Sequence, residues 1–339
     1  MKAVGYRNSG GSDPHSYQGR TERQARRISG QESLVPPQSA AESNDMELHY
    51  VRMGSGSPLL LIHGLGGSWR SWGPILSLLR AERDVIAIDL PGFGETPALT
   101  GKVTIDRLAD AVESFLHRHG LTGIDVAGSS MGGRIALELA RRGAVGATVA
   151  LDPGGFWKEW ERVYFGATIG ASVRLARVMQ PVMPRLTRHP IGRTALFAQL
   201  SPRPWRLPAK VMLAEMRSYE ASPSVEQVLD ELVTGPAQSG APAGSIRAPI
   251  VIGWGRQDRV CFPSQAKRAL ASFPDARVHW FDRCGHYPQW DVPAEAARLI
   301  LESTGDQAHR PVASRGATLH PPFVPSAPAV QNAAPTPTR

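Results

Sequence analysis

The sequence predicts an α/β fold: a mostly parallel central sheet flanked by helices, with a helical segment inserted before the last two strands. Three observations predict it. Short apolar, β-rich runs alternate with amphipathic helical patterns. Each run hands over to a loop that opens near Gly or Asp. One long stretch, residues 153–240, breaks the alternation and holds no strand-like run. Strands of a parallel sheet are covered on both faces by crossover helices, so they read as continuous apolar runs.

The strand-like runs are residues 59–62, 85–88, 124–127, 145–151, 250–252 and 278–281. The spacing predicts a helix over 104–118, where Ile105, Leu108, Ala109, Val112, Phe115 and Leu116 recur at three- and four-residue intervals. Thr104 is its N-cap, and Gly120 lies just past its end. Further helices are expected over 131–142, closed by Gly143, and over 264–272 and 293–302, each after a Pro-containing loop. The core is therefore 46–152 plus 241–303, and 153–240 is a helical insertion folding over the carboxyl edge as a lid. Trp157, Trp160 and Trp205 in that insertion are expected to pack in its core.

The ends differ in composition. Residues 1–45 are rich in Gly, Ser, Gln and Arg, and residues 304–339 in Pro, Ala and Thr, so both are expected to be disordered tails. Folding is expected to begin near Met46. No run reaches the roughly 20 apolar residues of a membrane span, and the N-terminal stretch has no signal-peptide core. A cytoplasmic soluble protein is the expectation. Two cysteines, Cys261 and Cys284, exclude a disulfide scaffold and a cysteine-rich zinc site. The net charge of +8 is uneven: between Glu161 and Glu215 there are nine basic residues and no acid. With many prolines and no nucleic-acid motif there, this reads as a solvated basic face that favours an anionic small-molecule substrate.

The chemistry centres on Gly128-Ser129-Ser130-Met131-Gly132, between a predicted strand and a predicted helix. A serine at such a sharp junction projects its hydroxyl above the sheet, and the flanking glycines allow the tight crossing. The hydroxyl needs a base, and the base an orienting acid. Of ten histidines, His286 is the one in the loop after the last strand, on the same sheet edge. His63 also ends a strand, but two glycines close behind it point to another role. Asp258, after the penultimate strand, is the candidate acid, with Asp152 the runner-up.

The order Ser130, Asp258, His286 and five ordered motifs resemble the α/β-hydrolase superfamily over roughly residues 46–303. The motifs are His63-Gly64, the run at 89–94 (DLPGFG), the serine elbow, 254–258 (WGRQD) and 285–293 (GHYPQWDVP). The resemblance implies an oxyanion hole made by the backbone N–H groups of Leu65 and Met131, and a mechanism that needs no metal or organic cofactor. The run Ser130-Met131-Gly132-Gly133-Arg134 also resembles the elbow of menaquinone-pathway lyases. There the matching arginine binds a substrate carboxylate, and a tyrosine typically precedes the serine; here Ser129 stands in that place. Arg134 is thus either a substrate-binding residue or, the favoured reading, a helix-surface arginine. Trp157 is a second candidate substrate contact. The leading expectation is a serine hydrolase acting on an ester or related acyl bond. Carbon–carbon bond hydrolysis, lyase chemistry and a non-catalytic ligand receptor are the alternatives.

Overall fold

A computed structural model describes residues 46–305. The expected tails lie outside the described residues, except for Thr304 and Gly305. These two belong to the folded body: Thr304 is buried, and the Gly305 N–H donates to Asp125 Oδ2 at 2.6 Å. The same carboxylate accepts Arg83 Nη2 at 2.7 Å, so a buried ion pair clips residues 304–305 to the sheet.

The sheet contains β1 (Tyr50–Met53), β2 (Pro58–Ile62), β3 (Asp84–Ile88), β4 (Asp125–Ser129), β5 (Thr148–Leu151), β6 (Ile250–Gly255) and β7 (Arg277–Phe281) in the order β1-β3-β2-β4-β5-β6-β7. Only β1 runs antiparallel, against β3; the other pairings are parallel. Strands β4, β5 and β6 are buried throughout, which is why their sequences do not alternate.

The helices are α1 (Gly73–Leu79), α2 (Ile105–Arg118), α3 (Met131–Arg142), α4 (Glu159–Val178), α5 (Met183–Arg188), α6 (Pro190–Phe197), α7 (Ala209–Ala221), α8 (Val225–Thr234), α9 (Ala266–Ser272), α10 (Pro288–Asp291) and α11 (Pro293–Ser303). Helix α2 starts where the Thr104 side chain accepts the Arg107 N–H. Helix α3 ends at Gly143, whose left-handed φ of 76° lets the Ala144 N–H reach back to Leu139 O at 3.0 Å. Helices α4 to α8 form the insertion between β5 and β6, in the place the proline-broken stretch predicts. The expectation for its tryptophans holds only in part: Trp157 is half-buried, but Trp160 and Trp205 are exposed. Both sit beside prolines or at a helix start, where the chain turns over the outer surface of the insertion.

Candidate active site

The parallel strands bring four loops to one edge of the sheet. Ser130 follows β4, Asp152 follows β5, Asp258 follows β6 and His286 follows β7. Ser130 has φ 56° and ψ −116°, a left-handed strain of about 1–3 kcal/mol that persists because the neighbours over-determine it. Its N–H is tied to Leu151 O at 2.8 Å. The glycines are sterically required: a Cβ on Gly128 would lie 2.1 Å from Gly132 O, and one on Gly132 would lie 2.1 Å from Ile62 O. The crossing of β4, β2 and α3 thus holds the serine up.

Ser130, His286 and Asp258 form one hydrogen-bonded chain. His286 Nε2 lies 2.8 Å from Ser130 Oγ, and His286 Nδ1 lies 2.8 Å from Asp258 Oδ2. All three side chains are buried. With Nδ1–H donating to the carboxylate, Nε2 is left as the acceptor for the serine hydroxyl. The other Asp258 oxygen accepts the N–H groups of Val260 and Cys261 at 2.7 and 3.1 Å. The His286 backbone is held by the insertion: its N–H donates to Leu200 O at 2.8 Å. Asp291, which accepts the Gly285 N–H at 2.8 Å and Ser201 Oγ at 2.5 Å, fixes the same loop.

Asp152, the runner-up acid, makes no bond to His286. Its Oδ1 accepts the Gly255 N–H at 2.8 Å, and its Oδ2 is buried without a partner among the described residues. Burial pushes its carboxyl well above the ordinary range, and the nearby Asp258 charge pushes it further.

His63 is structural: Nδ1 lies 2.7 Å from Gly64 O, and Nε2 accepts the Leu90 N–H at 3.0 Å. Burial lowers its pKa, so the ring is neutral. Asp89 of the neighbouring motif is a clamp, accepting the Trp69 N–H at 2.7 Å and the Glu95 N–H at 3.0 Å. Leu65 lies in the loop between β2 and the turn at Trp69, and Met131 is the first residue of α3. A Cβ added to Gly64 would lie 3.2 Å from Ser130 Cβ, so the Leu65 loop passes close to the elbow. N–H groups in a first helical turn have no helical partner and point towards the open end, where an oxyanion can accept them.

Arg134 is not on the surface. It is 2% exposed, one turn into α3, and Nη2 donates to Pro236 O at 2.6 Å. Its Nε and Nη1 are buried without partners among the described residues. Polar residues on α3 suggest an outward face, but Pro236 of the insertion lies over Arg134; burial lowers the Arg134 pKa against the opposing pull of Glu231. Trp157 stacks on Phe165 with ring centroids 5.0 Å apart, and its Nε1 is buried without a partner among the described residues.

Several site residues were not singled out from the sequence. Gln289, inside the GHYPQWDVP run, donates from Nε2 to Ser129 Oγ at 3.0 Å, tying the elbow to the histidine segment. Ser129 therefore points away from the reacting centre. On α7, Glu215 and Tyr219 lie one turn apart and face the loop after β2. Ser71 Oγ donates to Glu215 Oε2 at 2.8 Å, and a Cβ on Gly66 would collide with the Tyr219 ring. Their only sequence signal is the four-residue spacing and the place of Glu215 as the acid that ends the basic run.

Cys261, Asp258 and His286 are the one cluster among the described residues whose ligating atoms all fall within 4.8 Å. The Asp258 and His286 atoms are committed to each other, and burial pushes the Cys261 thiol well up, away from the thiolate a metal would need. Cys284 is likewise buried with a raised thiol pKa.

Residues 59–299 match the profile of the Alpha/beta hydrolase family. The chain belongs to that family. This alpha/beta hydrolase is 26% identical over 275 residues to the dihydrolipoyllysine-residue acetyltransferase component of the acetoin cleaving system of Pseudomonas putida, covering 78% of this chain and 69% of that protein. It is 27% identical over 290 residues to 2-hydroxy-6-oxononadienedioate/2-hydroxy-6-oxononatrienedioate hydrolase 2 of Pseudomonas putida, covering 76% of this chain and 91% of that one. Among solved structures, a thermophilic esterase from Thermogutta terrifontis superposes with a TM-score of 0.59 at 22% identity, over 76% of this chain and 92% of the esterase, a likeness of fold. No helix among the described residues of the hydrolase is long and apolar enough to cross a membrane.

Proposed function

We propose that the protein is a serine hydrolase that cleaves an ester or related acyl bond of a small molecule through an acyl-enzyme. The observation that carries this reading is the unbroken chain Ser130 Oγ–His286–Asp258, with both links at 2.8 Å. In this mechanism His286 Nε2 takes the hydroxyl proton as Ser130 Oγ attacks the substrate carbonyl. Asp258 holds the imidazole in the right tautomer and stabilises its charged form. The N–H groups of Leu65 and Met131 receive the developing oxyanion, each such donor contributing about 10²- to 10³-fold in turnover. His286 then protonates the leaving group, and water, deprotonated by the same nitrogen, releases the acid and restores Ser130.

The test is a panel of nitrophenyl esters of rising acyl length with Ser130→Ala alongside. The wild type turns over at least the short esters, and the variant falls by about 10⁴-fold or more. Equal turnover by the two proteins would overturn the nucleophile assignment.

A second reading is favoured by Arg134. A buried guanidinium whose Nε and Nη1 have no partner among the described residues, close behind the elbow, suits a substrate carboxylate as a charge-assisted acceptor. Relatives such as the hydrolase of Pseudomonas putida are named for oxo dicarboxylates. In this reading the same triad acts on a ketone beside that carboxylate, with Trp157 flanking the substrate. Turnover of a vinylogous diketo acid with no turnover of any ester would select it.

A further inference from the structure

The insertion carries a surface that acyl chemistry does not use. On α4, Ala171, Leu175 and Val178 recur at four- and three-residue spacing and are exposed, Leu175 by 52% and Val178 by 79%. On α6, Ile191 and Ala195 lie one turn apart, and Ile191 is 74% exposed. Leu175 and Ala195 line the same cavity, so the apolar positions of the two helices adjoin. Val182, in the turn after α4, is also exposed. Soluble monomers seldom leave aliphatic side chains grouped in this way without a partner.

The unpaired charge next to its centre is cationic. Arg185 and Arg188 on α5 are exposed and make no ion pair among the described residues. Arg177 is paired with Glu226, Arg193 is committed to backbone carbonyls, and Arg174 lies in a groove with Glu226 and Asp230. Aliphatic side chains at the centre with unpaired cations at the rim match an anionic lipid surface: apolar groups enter the acyl boundary while the cations meet phosphates. A second copy of the chain would set cation against cation. Nucleic acid would leave the Leu, Val and Ile centre unmatched, because bases stack on aromatic planes.

We propose that this outer face of the insertion, centred on Leu175, Val178, Val182 and Ile191 and rimmed by Arg185 and Arg188, docks the hydrolase on an anionic lipid surface. A cavity of about 80 Å³ opens on the same face at Ser172, Leu175 and Ala195. Its walls include Tyr219, whose ring covers Gly66, and Leu200, whose carbonyl accepts the His286 N–H. An apolar substrate held in the lipid would enter by this route. The entry route rests on the acyl-bond reading; the docking does not.

The test is co-sedimentation of the full chain with vesicles of phosphatidylcholine alone and with vesicles enriched in phosphatidylglycerol. Binding is expected to the enriched vesicles, weakening by about ten-fold or more as salt is raised. Arg185→Ser with Arg188→Ser should weaken it by roughly five-fold per arginine. Val178→Ser with Ile191→Ser should weaken binding to both vesicle types. Turnover of a soluble short ester and the far-UV circular dichroism should be unchanged in both variants, since these residues lie outside the triad and the cavity. Ser130→Ala should lose turnover and keep vesicle binding, so failure of the hydrolase reading leaves the docking result readable. No binding to enriched vesicles, or equal binding by wild type and both variants, overturns the proposal. Tighter binding to a random-sequence RNA, lost in the arginine variant and kept in the serine variant, also overturns it.

Discussion

Glu215 gives a prediction that needs no substrate. The carboxyl is buried on α7 with one hydrogen bond, from Ser71 Oγ at 2.8 Å, and burial pushes its pKa from 4.5 up to about 7. Below pH 4.5 the group is protonated in folded and unfolded chains alike and does not make stability depend on pH. As pH rises from 4.5 towards 7, the unfolded chain releases this proton and the folded chain keeps it, so stability falls. A separation of about 2.5 units is worth about 3 kcal/mol, fully lost above pH 7. Glu215→Gln keeps the shape and an acceptor for Ser71 but removes the titration. Urea unfolding followed by tryptophan fluorescence, from about pH 5 to about pH 8, should show the variant gaining on the wild type by roughly 1.4 kcal/mol per pH unit until the gain levels off near pH 7. Taking the difference between the two proteins cancels the histidines that titrate in the same window. A difference constant across that range would refute a neutral, buried Glu215.

Three further outcomes follow from the site and its supports. Asp258→Asn should lower kcat on a short nitrophenyl ester by about 10⁴-fold, whereas Asp152→Asn, which imitates a neutral acid, should stay within about ten-fold of wild type. Arg134→Met should lower the ratio of kcat/KM for a carboxylate-bearing ester over its neutral analogue by about ten-fold or more, and an unchanged ratio would remove Arg134 from substrate binding. Arg83→Met leaves Asp125 charged and buried beside Gly305, so chemical denaturation should show a loss of about 3–5 kcal/mol.

The features legible in the sequence are those carried by local pattern. The runs that became β2 to β6 stand out because strands covered on both faces must be apolar throughout, and the caps of α2 and α3 fall on Thr104 and Gly143 as their chemistry requires. Ser130, Asp258 and His286 were findable because each follows a strand, and parallel strands put their ends on one edge. Strand β1 left little signal: Tyr50–Met53 is a four-residue edge strand with an exposed Arg52. Helix α1 is seven residues long and opens with Gly-Pro. Arg134 was misplaced for a physical reason. A polar residue on an amphipathic helix reads as outward, but here the outward side of α3 is itself covered, and Glu138 is buried too, bonded to Arg141 and Arg142. Coverage by a distant segment is a tertiary fact with no local pattern. The same holds for Glu215, whose environment is made by Ser71, far away in the chain.

The two acids of the site show how environment assigns roles that sequence leaves open. Asp152 and Asp258 both follow strands and both are buried, so either could serve the histidine on position alone. What separates them is the set of hydrogen-bond donors that each one meets. Asp258 has the Val260 and Cys261 N–H groups and the imidazole; Asp152 has only the Gly255 N–H. Burial and the nearby Asp258 push the Asp152 carboxyl well above its ordinary range, while Asp258 is the acid bonded to His286 Nδ1. Asp152 still matters to the site through its backbone: it adopts a left-handed φ of 44° and accepts the Gly255 N–H, which fixes the end of β6 just before the loop that carries Asp258. One acid thus meets the imidazole and the other braces β6, and two N–H donors on the loop after β6 hold the first in place.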